Sequence, residues 1–249
     1  MTISRRRLLG IGASGLLLSG CDKLGQNPAF RSLLTGAEWL HLGSQRLIGG
    51  REGLAREFSE AEMSPTFRAN GSREVADTAY RRHVAQGFAQ WSLAIDGLVR
   101  RPLALPLAAL TALPQREQIT RHDCVEGWSA IGKWQGPQLG RVLDLAGLLP
   151  EARYIVFHCA DRFGTTPYYE SIDLIDAFHP QTILAWRMNG QPLPEAHGAP
   201  LRLRVERQLG YKHAKYVMRI EVRATLAGLY GGKGGYWEDS GDYAWYAGI

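Results

Sequence analysis

The residues most capable of chemistry are concentrated in one stretch, RHDCVEGWSAIGKW, at residues 121–134. It holds Arg, His, Asp, Cys, Glu and Lys side chains beside two tryptophans, in a chain with only three cysteines. Cys124 follows the strand-like run QITRH, and its cationic neighbours favour the thiolate that a soft metal or a nucleophilic mechanism requires. Arg121 and Lys133 flank Cys124 and are candidate catalytic residues that attract an oxyanion; solvated surface charge is the alternative interpretation.

The other cysteines have different surroundings. Cys159 ends YIVFHC, a β-branched and aromatic run typical of a buried strand, where a thiol usually packs inertly. A structural disulfide between Cys124 and Cys159 is one alternative in an oxidising compartment. Another is a zinc or thiol enzyme that uses Cys124 with His122 and, across the fold, His158 or Cys159; the H-x-C spacing matches no strong zinc motif.

Residues 1–21, MTISRRRLLGIGASGLLLSGC, predict an export signal, because three arginines precede an apolar run too short to span a bilayer. SRRRLL, with Arg5 and Arg6, resembles a twin-arginine signal, and LSGC resembles a lipobox that lipidates Cys21. Asp22 resembles an inner-membrane retention signal. We expect export in the folded state and a lipid anchor at Cys21, on the periplasmic side of the bacterial inner membrane. A plain secretory signal or an uncleaved anchor is the alternative.

Charge and composition limit the partners and the domain count. Removal of residues 1–21 lowers the formal net charge from +5 to +2, because the segment contains three arginines and no acidic residue. A nucleic-acid partner is therefore not expected. An apolar content of 45% supports a proper core. We expect residues 22–72 to be loops and short helices that wrap a catalytic domain at residues 73–249. Its aromatic, Gly-rich C-terminal tail is expected to fold back over that domain, with a partner surface as the alternative.

Many short strands with few helices predict an α+β fold with mixed or antiparallel sheets. Strands are expected at residues 91–99, 117–124, 154–159, 183–188, 201–205 and 215–222. Helices are expected after Pro106, within GPQLGRVLDLAGLLP, which stops at Gly147 and Pro150, and at residues 172–178 behind a Ser171 cap.

Three segments together resemble the molybdopterin-binding domain of the sulfite oxidase family. They are RHDCVEGWSAIGKWQGPQL, YYESIDLIDAFHPQTILAWRMNGQPLPEAHGAPLRL and LGYKHAKYVMRIE. The resemblance covers roughly residues 91–222 and is greatest to bacterial periplasmic members without haem. It implies a sulfite-oxidase-type α+β domain that binds one molybdenum and one molybdopterin. It also implies that Cys124 is the protein's bond to the metal.

The same resemblance implies which residues hold the cofactor: Asn70, Cys159, His197, Arg202, His213, Ala214 and Lys215. A large anionic pterin phosphate calls for Arg, Lys, His and backbone N–H groups, which bind it through charge-assisted hydrogen bonds. Cys159 falls on a position that is threonine in related reductases. Arg202 and Arg204 alternate along a strand, so an exposed basic face is the alternative for both. Trp128 and Trp134 either pack in the core or line a substrate funnel.

The resemblance implies oxygen-atom transfer. Reduction of an S- or N-oxide, such as methionine sulfoxide in a protein or a small molecule, is favoured over sulfite oxidation, because a small dianion requires several cations near the metal. A non-catalytic envelope lipoprotein is a further alternative. The chain has no C-x-x-C-H, so it carries no covalent haem, and we expect a membrane partner that contains quinol or haem to supply electrons. The short segment after Val222 favours a monomeric catalytic subunit.

Overall fold

The computed structural model describes residues 27–249, so the predicted signal, including Arg5, Arg6, Cys21 and Asp22, lies outside the described residues. Contacts within the chain separate residues 1–48 from residues 49–249. The described part of the first unit is helix α1 (Pro28–Gly49), of 22 residues. The sequence predicted loops and short helices there. The start signal is readable in retrospect, because the Asn27 side chain accepts from the Ala29 N–H at 2.9 Å and Pro28 opens the helix.

The second unit contains five further helices within the described residues. They are α2 (Thr78–Ala85), α3 (Leu107–Ala112), α4 (Leu139–Ala146), α5 (Leu174–Ala177) and α6 (Tyr236–Gly241). Its strands are β1 (Ser92–Gly97), β2 (Leu103–Pro106), β3 (Gln115–Cys124), β4 (Trp128–Pro137), β5 (Tyr154–Phe163), β6 (Thr166–Asp173), β7 (Ile183–Ala185), β8 (Arg187–Met188), β9 (Gln191–Pro192), β10 (Arg202–Arg204) and β11 (Val217–Arg223).

These strands form three sheets. The largest has the order β2-β1-β11-β5-β6, a second has the order β3-β4-β8-β9, and β10 pairs with β7. Strands β1 and β11 are parallel, whereas the other pairs are antiparallel. The α+β class with mixed and antiparallel sheets is therefore confirmed. Because neighbouring strands come from distant parts of the sequence, residues far apart along the chain meet at the strand ends.

The main core lies against the five-stranded sheet and is covered by α4. Leu139, Val142 and Leu143 are fully buried on one face of this helix, as its apolar spacing predicted. The helix ends at Gly147, whose φ of 69° is readily adopted by glycine. Each fully buried aliphatic side chain contributes about 1.5–3 kcal/mol relative to an exposed one, so this face fixes the helix against the sheet.

Two local predictions differ from the structure. Residues 128–137 form β4, which pairs along its whole length with β3 and was not predicted as a strand. Ser171 lies inside β6, opposite Val156, and does not cap a helix. The short helix α5 is capped by Asp173, whose side chain accepts from the Asp176 N–H at 3.0 Å. Pairing with β5 holds residues 171–173 in the extended form, against their local preference for a helix start.

The predicted fold-back of the C-terminal tail is confirmed. The Leu209 N–H donates to the Ala247 carbonyl at 2.9 Å, and the Tyr211 hydroxyl donates to the Ala244 carbonyl at 2.6 Å. Among residues 27–249, no helix is both long enough and apolar enough to cross a membrane.

Candidate active site

A pocket opens at the tip of the β3–β4 hairpin, where Cys124 is the last residue of β3. Gly127 makes the tight turn possible, with a φ of 84° and an N–H that donates to the Cys124 carbonyl at 3.0 Å. The empty space of the cavity, including its open mouth, measures ≈ 650 Å³. Of the predicted site residues, Asn70, Cys124, His213 and Lys215 line it.

Lys215 lies in this pocket with its ammonium surrounded by carbonyl oxygens. Its Nζ donates to the carbonyls of Asn70 at 2.8 Å, Ser72 at 2.5 Å and Ala196 at 2.7 Å. It makes no ion pair with a carboxylate within the described residues. Burial, assisted by the charge of Arg202, lowers the pKa of Lys215 to about 7. The site therefore holds a cation whose charge is not neutralised by a paired carboxylate.

Arg202 lies behind the pocket wall and is completely buried. Its guanidinium donates to the carbonyls of His197 at 3.1 Å and His213 at 3.4 Å, while Nε has no partner. Burial, together with the charge of Arg204, lowers the pKa of Arg202 to about 9. The protein's own groups therefore compensate the positive charge of Arg202 poorly, and a nearby anion would stabilise it.

The alternative of an exposed basic face is wrong for both arginines of β10. Arg204 is also completely buried, where it forms an ion pair with Glu206 at 2.5 Å. Its Nη1 lies 3.0 Å from Nδ1 of His122, and Trp134 packs beneath both guanidinium groups. Arg204 therefore has its own carboxylate, whereas Arg202 has none.

Two histidines near the buried arginines favour the neutral form of their rings. Burial and Arg202 lower the pKa of His197 to about 4. Burial and Arg204 lower the pKa of His213 well below its usual value. The His213 ring contacts the Gln208 carbonyl through Nε2 at 3.0 Å, whereas Nδ1 of each ring has no partner. Neutral rings with a vacant nitrogen are suited to hydrogen bonding with a polar ligand.

Unsatisfied buried polar atoms mark where a ligand fits. Among those of the described residues, Asn70 Oδ1, Asp161 Oδ1 and His213 Nδ1 belong to residues that line the pocket, and His197 Nδ1 and Arg202 Nε belong to residues near its wall. Each such atom costs about 1–3 kcal/mol if it stays unpaired, so a native protein rarely gathers several without a purpose. Donors, acceptors and two unpaired cations together match an anionic, hydrogen-bonding group such as molybdopterin. The residues present therefore fit that cofactor.

Asp161 is a pocket residue that the sequence reasoning missed. It lies near the end of β5, and its carboxyl is buried. Burial outweighs the Ser72 hydroxyl and the charge of Lys215, so the pKa of Asp161 rises to about 6. An acidic residue at the end of an apolar strand run was the available signal. Its vacant oxygen is available to accept an N–H group from a pterin.

The thiol of Cys124 does not have the thiolate-favouring surroundings that were expected. Burial, together with the charge of Glu126, raises its pKa above the ordinary value. Metal binding would have to displace the proton, as is usual for thiolate ligands. The described residues contain no group of three or more His, Cys, Asp and Glu side chains that could hold a metal ion, which leaves the zinc alternative without a ligand set there.

Cys159 is free, as is Cys124, so the two do not form the disulfide of the alternative interpretation. It lies on β5 opposite Val217 and does not line the pocket. Burial, together with Asp161 and Glu170, raises the pKa of Cys159 well above its usual value. The thiol is therefore an inert neighbour of the pocket wall in this structure.

The structure does not bring Arg121 or Lys133 into the pocket. Arg121 is largely exposed and pairs with Asp123 at 2.9 Å. Lys133 lies opposite Ile119, well back along the hairpin from Cys124, and pairs with Glu60 at 2.8 Å. These ion pairs neutralise both charges. In an antiparallel hairpin only the residues next to the turn lie close to Cys124, and Lys133 is further back along β4.

Backbone groups and aromatic rings also differ from expectation. Ala214 is buried, its N–H donating to the Lys212 carbonyl at 3.1 Å and its carbonyl accepting from Leu203 at 2.8 Å. Neither Trp128 nor Trp134 lines the pocket. The aromatic side chains that do line it are Phe163, Tyr168, Tyr211, Trp237 and Tyr243.

This fold and this pocket define a cofactor-dependent oxidoreductase domain. The family model described as "Oxidoreductase molybdopterin binding domain" matches residues 81–228, and the chain belongs to that family. The fold also resembles the sulfane dehydrogenase SoxCD from Paracoccus pantotrophus, with a TM-score of 0.50 and 23% identity over 55% of this chain and 39% of that one.

Curated relatives are more similar in sequence. The putative protein-methionine-sulfoxide reductase subunit YedZ1 of Azospira oryzae is 46% identical over 160 residues, 64% of this chain and 56% of that protein. The protein-methionine-sulfoxide reductase catalytic subunit MsrP of Gluconobacter oxydans is 37% identical over 53% of this chain and 46% of its own length. MsrP of Xanthomonas campestris pv. campestris is 37% identical over 52% and 44%. The chain thus spans about half the length of these relatives.

Proposed function

We propose that this chain is the catalytic subunit of a molybdenum-dependent reductase that removes oxygen from an S- or N-oxide, above all from methionine sulfoxide. The observation that carries the proposal is the position of Cys124 in a pocket that Asn70, Asp161, His213 and Lys215 also line, three of them with unpaired polar atoms. The printed names of the relatives, as methionine sulfoxide reductase subunits, support the choice of substrate.

The residues divide the work of holding the cofactor. Cys124 would bind one molybdenum, and the positive charges of Lys215 and of Arg202 behind the pocket wall would attract the phosphate of one molybdopterin. Asn70, His197, His213 and Asp161 would orient its polar edges through their vacant atoms. When bound, the molybdenum cofactor would supply two-electron oxygen-atom-transfer chemistry, by which a sulfoxide, two electrons and two protons become a thioether and water. The protein supplies positioning and an environment with little water.

The pocket favours reduction of an organic oxide over oxidation of sulfite. A small dianion such as sulfite requires several cations at the open metal position. No arginine lines the described pocket, and Lys215 is the one lysine among the residues that line it. Aromatic side chains also line the pocket, and they suit an apolar group attached to sulfur.

The test uses purified protein with its native cofactor. Metal analysis is expected to find molybdenum with pterin, and reduced viologen is expected to support turnover of methionine sulfoxide. Replacement of Cys124 by Ser should abolish turnover and change the metal's spectrum, whereas Cys159→Ser, the matched control, should retain partial activity. Unchanged turnover in Cys124→Ser would contradict the proposed ligand. Zinc alone, or no metal, would contradict the class of enzyme, and turnover of sulfite alone would reverse the direction.

We further propose that the chain works as a monomeric subunit on the periplasmic side of the inner membrane. The twin-arginine and lipobox resemblances at Arg5, Arg6 and Cys21 support folded export and a lipid anchor. A membrane partner that contains quinol or haem would supply the electrons. Replacing both arginines by Lys should leave the cofactor-loaded protein in the cytoplasm on cell fractionation; normal export of the loaded variant would contradict this route.

A further inference from the structure

The C-terminal segment, residues 229–249, follows the part of the chain that the family model matches. It nevertheless builds part of the pocket, because Trp237 and Tyr243 line the same cavity as Cys124. The tail is therefore a wall of the candidate active site as well as a cover for the domain.

The aromatic wall consists of Phe163, Tyr211, Trp237 and Tyr243, which form a continuous set of ring contacts. Trp237 and Tyr243 stack with centroids 5.7 Å apart and an interplanar angle of 22°. Phe163 meets Trp237 at 5.4 Å, and Tyr211 meets Tyr243 edge-on at 5.1 Å. Both tail rings are partly exposed and line the pocket.

The tail is fixed in place rather than loosely laid over the site. Glu238, next to Trp237, pairs with the fully buried Lys212 at 2.5 Å. Asp242 has a φ of 53°, a left-handed conformation that reverses the chain and returns Tyr243 beneath Trp237. Hydrogen bonds from Tyr211 and Leu209 hold the residues that follow. Fixed rings can select a substrate without first being ordered.

Aromatic faces gain little from a small hydrated oxide but attract methyl, methylene and sulfur groups. We infer that the aromatic wall is the substrate-recognition surface, and that it selects sulfoxides with an extended apolar side chain, such as a methionine sulfoxide residue in a peptide, over dimethyl sulfoxide. This inference rests on the proposed function. It assigns specificity to residues on the C-terminal segment and at the end of β5.

Variants of the tail rings test the inference in the cofactor-loaded full chain. With reduced viologen, Trp237→Leu and Tyr243→Leu should each raise KM for an N-acetylated, amidated methionine sulfoxide about tenfold, which corresponds to about 1.4 kcal/mol. KM for dimethyl sulfoxide should rise much less, so that the ratio of the two KM values shifts toward dimethyl sulfoxide. Trp237→Phe, which preserves an aromatic face, should restore most of the discrimination.

Trp245→Leu is the matched control, because Trp245 belongs to the same segment but packs on Tyr154 and Ser171 and does not line the pocket. It should leave the ratio of the two KM values unchanged. Molybdenum content and thermal midpoints identify any variant that has lost its fold. Equal rises in both KM values, or no change in their ratio in folded Trp237→Leu and Tyr243→Leu, would overturn the inference while the wild-type activity stands. Absence of oxide reduction in the wild type would overturn the proposed function, and this inference with it.

Discussion

Lys212 and Lys215 lie three residues apart and are both buried, yet their surroundings are opposite. Lys212 binds Glu170 at 2.6 Å and Glu238 at 2.5 Å, and all three side chains are excluded from water. Lys215 has only carbonyl partners. Two carboxylates of the protein neutralise Lys212, whereas Lys215 forms no ion pair with a carboxylate among the described residues. The comparison separates a lysine that is neutralised within the fold from the one proposed to attract the cofactor's phosphate.

The titration behaviour of the two regions follows the same division. Burial alone would lower the pKa of Lys212, but its two carboxylates raise it above the ordinary value. Burial and Glu238 raise the pKa of Glu170 well above its usual range, against the opposing effect of Lys212. Lys215, without such partners, has a lowered pKa of about 7.

The largest expected effect is on stability, from Lys212→Met. Removing the cation leaves buried Glu170 and Glu238 without a counter-charge, so the free energy of unfolding should fall by about 3–5 kcal/mol. Urea unfolding at pH 7 measures it as a lower midpoint. Any folded fraction should still contain molybdenum, because Lys212 faces the tail and not the cofactor side.

Lys215→Met is the matched control three residues further on. The variant removes the donor that binds the Asn70, Ser72 and Ala196 carbonyls, so a smaller loss of about 1–2 kcal/mol in the free energy of unfolding is expected. Its molybdenum and pterin content should instead fall sharply, because a phosphate-binding cation is gone. If Lys215→Met kept its cofactor, or if Lys212→Met unfolded at the wild-type urea concentration, the division between the two lysines would not hold.

A smaller effect is expected from pH, measured on cofactor-free protein. Unfolded His197 takes up a proton near pH 6.5, whereas the folded form does so only at about pH 4. The unfolded state therefore binds more protons between these values, and stability must fall as pH falls through that window, by about 2–3 kcal/mol from this residue. Glu170 acts in the opposite sense, since its raised pKa gives stability that is present at low pH and lost as pH rises.

Urea midpoints at pH 7 and pH 4.5 check this sign. His197→Asn, which cannot take up a proton, should reduce the difference between the two midpoints; His122, His179 and His213, whose pKa values are also lowered, keep the remainder. An equal fall in wild type and His197→Asn would assign the acid sensitivity to another group.

Sequence reasoning predicted the local elements that carry their own signals. Strand β3 and helix α4 were found because their apolar spacing and end signals are contained within each segment. Helix α1 was missed because Asn27 and Pro28 were not recognised as a helix start. Strand β4 was missed because Trp128 and Lys133 were considered as candidate site residues, and the alternation of buried and exposed positions around them was not used. The α+β class follows from such local patterns, so it could be predicted without knowing which strands pair.

The predicted candidate site is only partly assembled by the structure. Asn70, Cys124, His213 and Lys215 meet in one pocket. Arg121 and Lys133 do not, although they are closest to Cys124 in sequence. Arg121 pairs with Asp123 on its own strand, and Lys133 pairs with Glu60, which lies 73 residues earlier in the chain.

The sequence by itself determined the donor types: a cysteine at a strand end, cations and histidines in two short motifs, and an aromatic tail. Only the tertiary structure decided which cations lack a carboxylate, that Arg202 and Arg204 are buried alike but paired differently, and that Trp237 reaches the pocket of Cys124. The physical reason is that charge compensation and burial depend on neighbours brought from other strands. The sequence specifies the chemical type of each side chain, whereas tertiary packing determines which groups it contacts.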